Sequence, residues 1–206
     1  YNLETNPVID EFVNLVSTYD LYTKDSPLWE KAQDLNRLMY KLMDYTKYGV
    51  GKYNIFISSM LYKFECQDIF EFNKIELKKI EEDRKKELDI FKEFLTGKRK
   101  IKTRQDSQGR HFSIIQLNAK ISAICNRLLE KYSKLDYVIA LNNFKEDDPK
   151  ISVRSKEGIN LLEYEGLKGH ETAAGMEKVT TELSDNLWSG KIHSLTFKEK
   201  PDTIQQ

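Results

Sequence analysis

Apolar positions recur at helical spacing through the first half of the chain. After Pro7, the residues Ile9, Phe12, Val13 and Val16 repeat every three or four positions and predict a helix that starts at Pro7. Ser26-Pro27 is a second start signal, a capping side chain followed by a residue whose fixed φ suits a first turn. Leu28, Ala32, Leu35, Leu38, Met39, Leu42 and Met43 form the stripe of that helix, whose end is expected near Gly49. From Asn54 to Tyr62 the chain is a dense apolar run that periodicity leaves open between helix and strand. Ile75, Leu77, Ile80, Leu88, Phe91 and Leu95 sit among Lys and Glu and predict a long helix with one wet face, closed by Gly97.

The pattern changes after Gly97. Lys100–Arg104 and His111–Leu117 read as a hairpin about the turn Asp106-Ser107-Gln108-Gly109. Ile121, Ile124, Cys125, Leu128, Leu129 and Tyr132 predict a helix, and Tyr137–Leu141 a buried strand. Ile151–Arg154 is another strand, after a turn at Asp148-Pro149. Strands on both sides of one helix are an α/β or α+β signature, and α/β is the fold class expected. The expected organisation is a mostly helical segment, 1–96, followed by a small mixed β-sheet domain with flanking helices, 97–206.

Composition narrows the function classes. An aromatic content of 11% can build a core, which excludes a disordered chain. The longest uncharged runs, Tyr53–Tyr62 and Tyr137–Leu141, are far short of the ~18 apolar residues of a membrane span. Cys66 and Cys125 have no CxxC partner, which excludes a zinc ribbon and a disulfide scaffold and points to a reducing, cytoplasmic setting. The 33 basic and 33 acidic residues balance, which argues against a general polyanion binder. A local basic surface remains open. Residues 74–104 hold 12 Lys or Arg against 7 Asp or Glu, and Lys98, Arg99, Lys100, Lys102 and Arg104 follow the long helix directly. A polynucleotide backbone could lie there, or the helix could simply be solvated with paired Glu and Lys faces.

The segment from Ile151 to Lys178 carries the most chemistry. Arg154 ends a strand with Ser152 and Ser155 beside it, and a guanidinium there offers a planar donor fork to a phosphate or carboxylate. Lys168, Gly169 and His170 read as a loop, with Ala173, Ala174 and Gly175 directly after. Small residues in a loop let backbone N–H groups approach an anion. The same glycines equally serve ordinary turns, with His170 a surface side chain.

Taken together, Arg154-Ser155 and the run Lys168-Gly169-His170-Glu171-Thr172-Ala173-Ala174-Gly175 resemble the C-terminal, DHH-associated domain of the DHH phosphoesterase superfamily, in its RecJ-like or oligoribonuclease-like members. Those members carry a strand ending in R-S and a G-G-G-H-x-x-A-A-G loop; here Gly166-Leu167-Lys168-Gly169 stands where a run of glycines is usual. Leu135–Ala140 is similar to the strand before R-S, and Ile121–Lys131 to the helix before that. Phe12–Tyr22 and Trp29–Met43 are similar to helices late in the catalytic domain, and residues 50–95 match nothing in the family.

The resemblance implies hydrolysis of a nucleotide or single-stranded nucleic-acid phosphodiester by a metal-activated water. It implies Mn²⁺ (or Mg²⁺) bound by an Asp-His-His cluster. His111, His170 and His193 are never adjacent, and Asp147-Asp148 reads as a solvated turn. A two-metal site needs several ligands close together. The metals are therefore expected outside this chain, in an N-terminal catalytic segment, and this chain alone is expected to be inactive. Its start at Tyr1 rather than Met gives the same expectation, that it is the C-terminal portion of a longer protein. Its role would be substrate binding by Ser152, Arg154, Ser155, Lys168, Gly169, His170, Ala173, Ala174 and Gly175. Asp20 reads as a helix-junction residue and Cys125 as a buried thiol. Expected partners are a nucleotide or single-stranded nucleic acid and the catalytic segment, with no membrane; a homodimer is left open. The rival readings are a non-catalytic nucleotide- or nucleic-acid-binding module and an interaction domain built on the helix at 74–95.

Overall fold

The structure is a computed structural model and describes residues 6–43, 54–142, 149–176 and 179–196. The expected helix end at Gly49, the pair Asp147-Asp148 and the first five residues lie outside the described residues. The chain divides into two compact units, Tyr1–Lys86 and Glu87–Gln206, with the division falling inside one helix. The expected boundary lies ten residues further on, between 96 and 97.

The first unit is helical. Helix α1, Pro7–Asp20, begins where Asn6 Oδ1 accepts the amides of Val8 and Ile9, with Pro7 in the first turn. Its core face is Val8 and Leu15, with Phe12 and Tyr19 half-buried. Ile9, Val13 and Val16, three of the four positions whose spacing predicts the helix, are exposed. The helix is apolar on two faces, so spacing cannot tell which one packs. The contacts of Phe12 with Phe64 and Phe70 fix the choice. Helix α2, Trp29–Met43, buries Ala32, Leu35, Leu38 and Leu42 as its period predicts. The run left open is a helix, α3, Asn54–Cys66, packed through Phe56 and Met60.

Helix α4, Lys74–Leu95, corrects the sequence reading. Ile75, Leu77, Leu88 and Leu95 are exposed, and the inward positions include Glu76, Ile80, Asp83, Glu87 and Phe94. Three buried acids sit on the core side because each meets a cation. Glu76 pairs with Lys63 of α3 at 2.7 Å, Asp83 with Lys41 of α2 at 3.7 Å, and Glu87 with Arg127 at 2.6 Å. Glu76 also closes a capping box, accepting the Asn73 amide while Asn73 Oδ1 accepts the amides of Ile75 and Glu76. Gly97, at φ +74°, stands just past the end of α4 as expected.

The second unit is a mixed sheet between helices, an α/β fold. Its strands are β1 (Lys102–Gln105), β2 (His111–Gln116), β3 (Tyr137–Asn142), β4 (Lys150–Ser155), β5 (Leu167–His170) and β6 (Ala173–Met176). Among the described residues they run in the order β1-β2-β3-β4-β6-β5. Strands β2 and β3 are parallel, joined by helix α5, Ile121–Lys131, and every other pair is antiparallel. One face of the sheet packs Ile115, Val138 and Ala140 against Ile124, Cys125 and Leu128 of α5 and against Phe94. The other packs Phe112, Ile114, Tyr137, Ile139, Ile151, Val153, Leu167 and Ala174 against Leu161, Tyr164 and Leu187. Of these, Leu187 lies on helix α6, Thr181–Ser189.

Candidate functional site

Strand register decides which candidate residues meet. Arg154 lies opposite Ala173, which lies opposite His170; Ser152 lies opposite Gly175, which lies opposite Lys168. Directly opposed residues share a face of the sheet. Arg154 and Ser152 also oppose Val138 and Ala140, so this face is the one α5 covers over the inner strands. Ser152, Arg154, Lys168 and His170 are thus brought together across β4, β6 and β5, with Ala173 and Gly175 keeping the floor between them low. Lys168 and His170 are exposed, and Ser152 and Arg154 are half-buried.

Ser155 is not part of this group. It opposes Tyr137 on the core side, and its hydroxyl donates to the Ile159 carbonyl at 3.0 Å. The strand period of two separates it from Arg154, a consequence that Arg-Ser adjacency hides. Val153, Ala174 and Gly169 likewise form the row that faces the core side.

The expected loop at Lys168–Gly175 is a hairpin. Strands β5 and β6 are linked through Glu171-Thr172, whose carbonyls accept from the Leu161 amide at 2.7 Å and the Ser155 amide at 3.0 Å. Because β6 is an inner strand, the amides of Ala173, Ala174 and Gly175 serve the ladders on either side rather than an anion. Gly169 has a different task. At φ +136°, a Cβ there would stand 2.6 Å from the Ala173 carbonyl oxygen, so only glycine permits this approach of β5 to β6. A glycine at that spacing fits both a cradle and a tight hairpin, and the pairing partners choose the hairpin.

The guanidinium of Arg154 is anchored at two points. Nη1 donates to the Val153 carbonyl at 2.8 Å, and Nη2 to Oγ of Ser122, in the first turn of α5, at 2.6 Å. Ser122 escapes sequence reading, because nothing in a lone Ser after Lys120-Ile121 announces a partner on a distant strand. Cys125, one turn on, is fully buried, and that burial pushes its thiol up to about 12 against the weaker opposing pull of Arg154. It is no nucleophile at neutral pH.

Within the basic run, Lys98, Arg99, Lys102 and Arg104 have partners inside the chain. Lys98 and Arg99 both pair with Glu93, at 3.4 Å and 2.6 Å; Arg99, more than Lys98, holds that carboxyl below its ordinary range. Lys102 donates to the Trp188 carbonyl at 2.6 Å and lies 4.2 Å over the indole ring. Arg104 donates to the carbonyls of Leu187, Ile192 and Trp188 and so caps the C-terminal end of α6, where a cation meets the partial negative charge of the helix. Lys100 is exposed. Charge counting reads these cations as a stripe, whereas β1 directs Lys102 and Arg104 to α6.

A buried polar network was also missed. Asp106 Oδ1 accepts the amides of Gln108 and Arg110, and Oδ2 accepts the hydroxyls of Tyr137 at 3.0 Å and Tyr164 at 2.8 Å. Arg110 continues it to Tyr164 and Glu163. The Asp in the turn D-S-Q-G was legible as a turn former, and its second oxygen was not.

Among the described residues no three His, Cys, Asp or Glu side chains come together as metal ligands. Within the second unit, His111, His170 and His193 do not assemble a two-metal centre among the described residues. Among the described residues no helix is long and apolar enough to cross a membrane.

No protein-family model and no curated protein match the chain. Among solved structures it is similar to an uncharacterized protein from Helicobacter pylori G27, at 13% identity and a TM-score of 0.30, over 82% of this chain and 54% of that one. It is also similar to the DHH domain of a member of the s1p family of ribosomal proteins, at 15% identity and a TM-score of 0.45, over 86% of this chain and 46% of that one. The chain thus spans about half the length of the solved structures it matches. Likenesses of this size carry no argument on function, which rests on the residues themselves.

Proposed function

We propose that this chain is the substrate-binding part of a metal-dependent phosphoesterase of the DHH type, acting on nucleotide or single-stranded nucleic-acid phosphodiesters. The Mn²⁺ or Mg²⁺ would be held by residues outside the chain. One observation carries the reading: Ser152, Arg154, Lys168 and His170 share one sheet face across three adjacent strands, over a floor of Ala173 and Gly175. Arg154 supplies a planar fork for phosphate oxygens, Lys168 a point charge, and His170 and Ser152 further hydrogen-bond groups. The grip comes from side chains, since the amides of β6 serve the sheet. The residues of the basic run contribute to the fold rather than to the ligand in this reading.

The test is a binding and turnover experiment with Mn²⁺. A short 5′-phosphorylated labelled oligonucleotide and a cyclic dinucleotide are offered to this 206-residue chain and to the product of its full reading frame. Binding by the chain, hydrolysis only by the longer product, and loss of both with Arg154→Ala are expected. Hydrolysis by the chain alone would refute the placement of the metals. Binding without hydrolysis in either protein would make the chain a non-catalytic nucleotide-binding module.

A further inference from the structure

A long side chain that must be ordered when its ligand arrives loses rotamer freedom at that moment, and affinity falls accordingly. Arg154 is already ordered. Its two anchors come from different elements: the Val153 carbonyl lies on its own strand, and Ser122 Oγ lies on α5, 32 residues away in sequence. The second anchor exists because the crossover from β2 to β3 lays the first turn of α5 beside β4. A guanidinium carries five N–H donors. Two are used by these anchors, which leaves Nε–H and one N–H on each Nη in a fixed plane.

We propose that Ser122 is a positioning residue for ligand binding: its hydroxyl oxygen fixes the Arg154 guanidinium so that the remaining N–H groups meet a phosphate already oriented. Ser122 acts through Arg154 and does not itself contact the ligand. The inference rests on Arg154 being the phosphate-gripping group.

The test is a double-mutant cycle on the full chain, read by fluorescence anisotropy with a 3′-fluorescein trinucleotide carrying a 5′-phosphate. Because the guanidinium must then be ordered when the ligand arrives, Ser122→Ala is expected to weaken binding by about threefold to tenfold. Ser122→Thr, which keeps the hydroxyl, restores most of the affinity. Arg154→Ala weakens binding more, and adding Ser122→Ala to it changes nothing further, because the hydroxyl then has no guanidinium to hold. A purely structural role would instead weaken binding equally in both backgrounds, and that result overturns the proposal. So does wild-type affinity in Ser122→Ala while Arg154→Ala is impaired. If the unaltered chain fails to bind the probe, or Arg154→Ala binds like it, the reading of the site falls first and this inference with it.

Discussion

Replacing Asp106 by Ala tests whether the second unit depends on its buried polar network. Asp106 is 7% exposed, and Tyr137 and Tyr164 are fully buried. The substitution removes the acceptor of both hydroxyls at once. Arg110 lies beside the Tyr164 oxygen but is itself a donor, so neither phenol gains a substitute acceptor from it. A buried donor left unsatisfied costs about 1–3 kcal/mol, so two give about 2–6 kcal/mol. The amides of Gln108 and Arg110 lie in a surface turn and recover much of their loss from water. Against a total stability of about 5–15 kcal/mol, this is a large share. Tyr137→Phe should cost only about 1 kcal/mol, because it removes donor and demand together. The assay is urea unfolding followed by Trp188 fluorescence in a Trp29→Phe background, since Trp188 packs on the same core as Tyr137 and Tyr164. A loss below about 1 kcal/mol for Asp106→Ala, or one no larger than that of Tyr137→Phe, would refute the argument.

Other consequences follow from the same geometry. Burial, with the Asp106 hydrogen bond next, raises the Tyr164 hydroxyl from 10.0 to about 12, and Tyr137 is pushed further still. The folded chain therefore keeps a phenolic proton that the unfolded chain gives up, and stability present below pH 10 is lost as pH rises toward about 12. Urea midpoints across that range, alongside an ultraviolet titration of tyrosinate, would show it, and a flat profile would contradict it. Gly169→Ala forces a Cβ to 2.6 Å from the Ala173 oxygen and should cost about 1–3 kcal/mol, together with oligonucleotide binding. Gly175→Ala, whose Cβ would stand 3.3 Å from the Ile151 oxygen, should cost less, as thermal melts of the pair can check. Lys63→Met leaves Glu76 buried without its cation and should cost about 3–5 kcal/mol. Glu76→Leu added to it should recover a measurable part in the same melts.

The helices, the hairpin about Asp106–Gly109 and the α/β class were legible because each rests on local pattern: period, cap and turn residues. What was not legible depends on partners. The inward stripe of α4 reads as polar in one dimension, because Lys63, Lys41 and Arg127, which neutralise Glu76, Asp83 and Glu87, lie on three other helices. The outward Ile9, Val13 and Val16 of α1 have the same cause, since a helix apolar on two faces carries no mark of which face finds Phe64 and Phe70.

The candidate site shows how far alternation alone can carry an argument. Once Ile151–Arg154 is known to be a strand, the period of two places Ser152 with Arg154 and separates Ser155 from both. That much was derivable from the sequence, and reading the Arg-Ser pair as one unit concealed it. The alliance of Arg154 with Lys168 and His170 was not derivable, because it requires β6 to lie between β4 and β5. If sheet order makes the site, shifting the register of β6 should abolish binding even with every side chain present. Inserting one residue between Thr172 and Ala173 tests this, since it moves the His170 partner off Ala173. Lost binding with secondary structure retained by circular dichroism is the expected result. Unchanged affinity would mean that the ligand is held by Arg154 without the other strands.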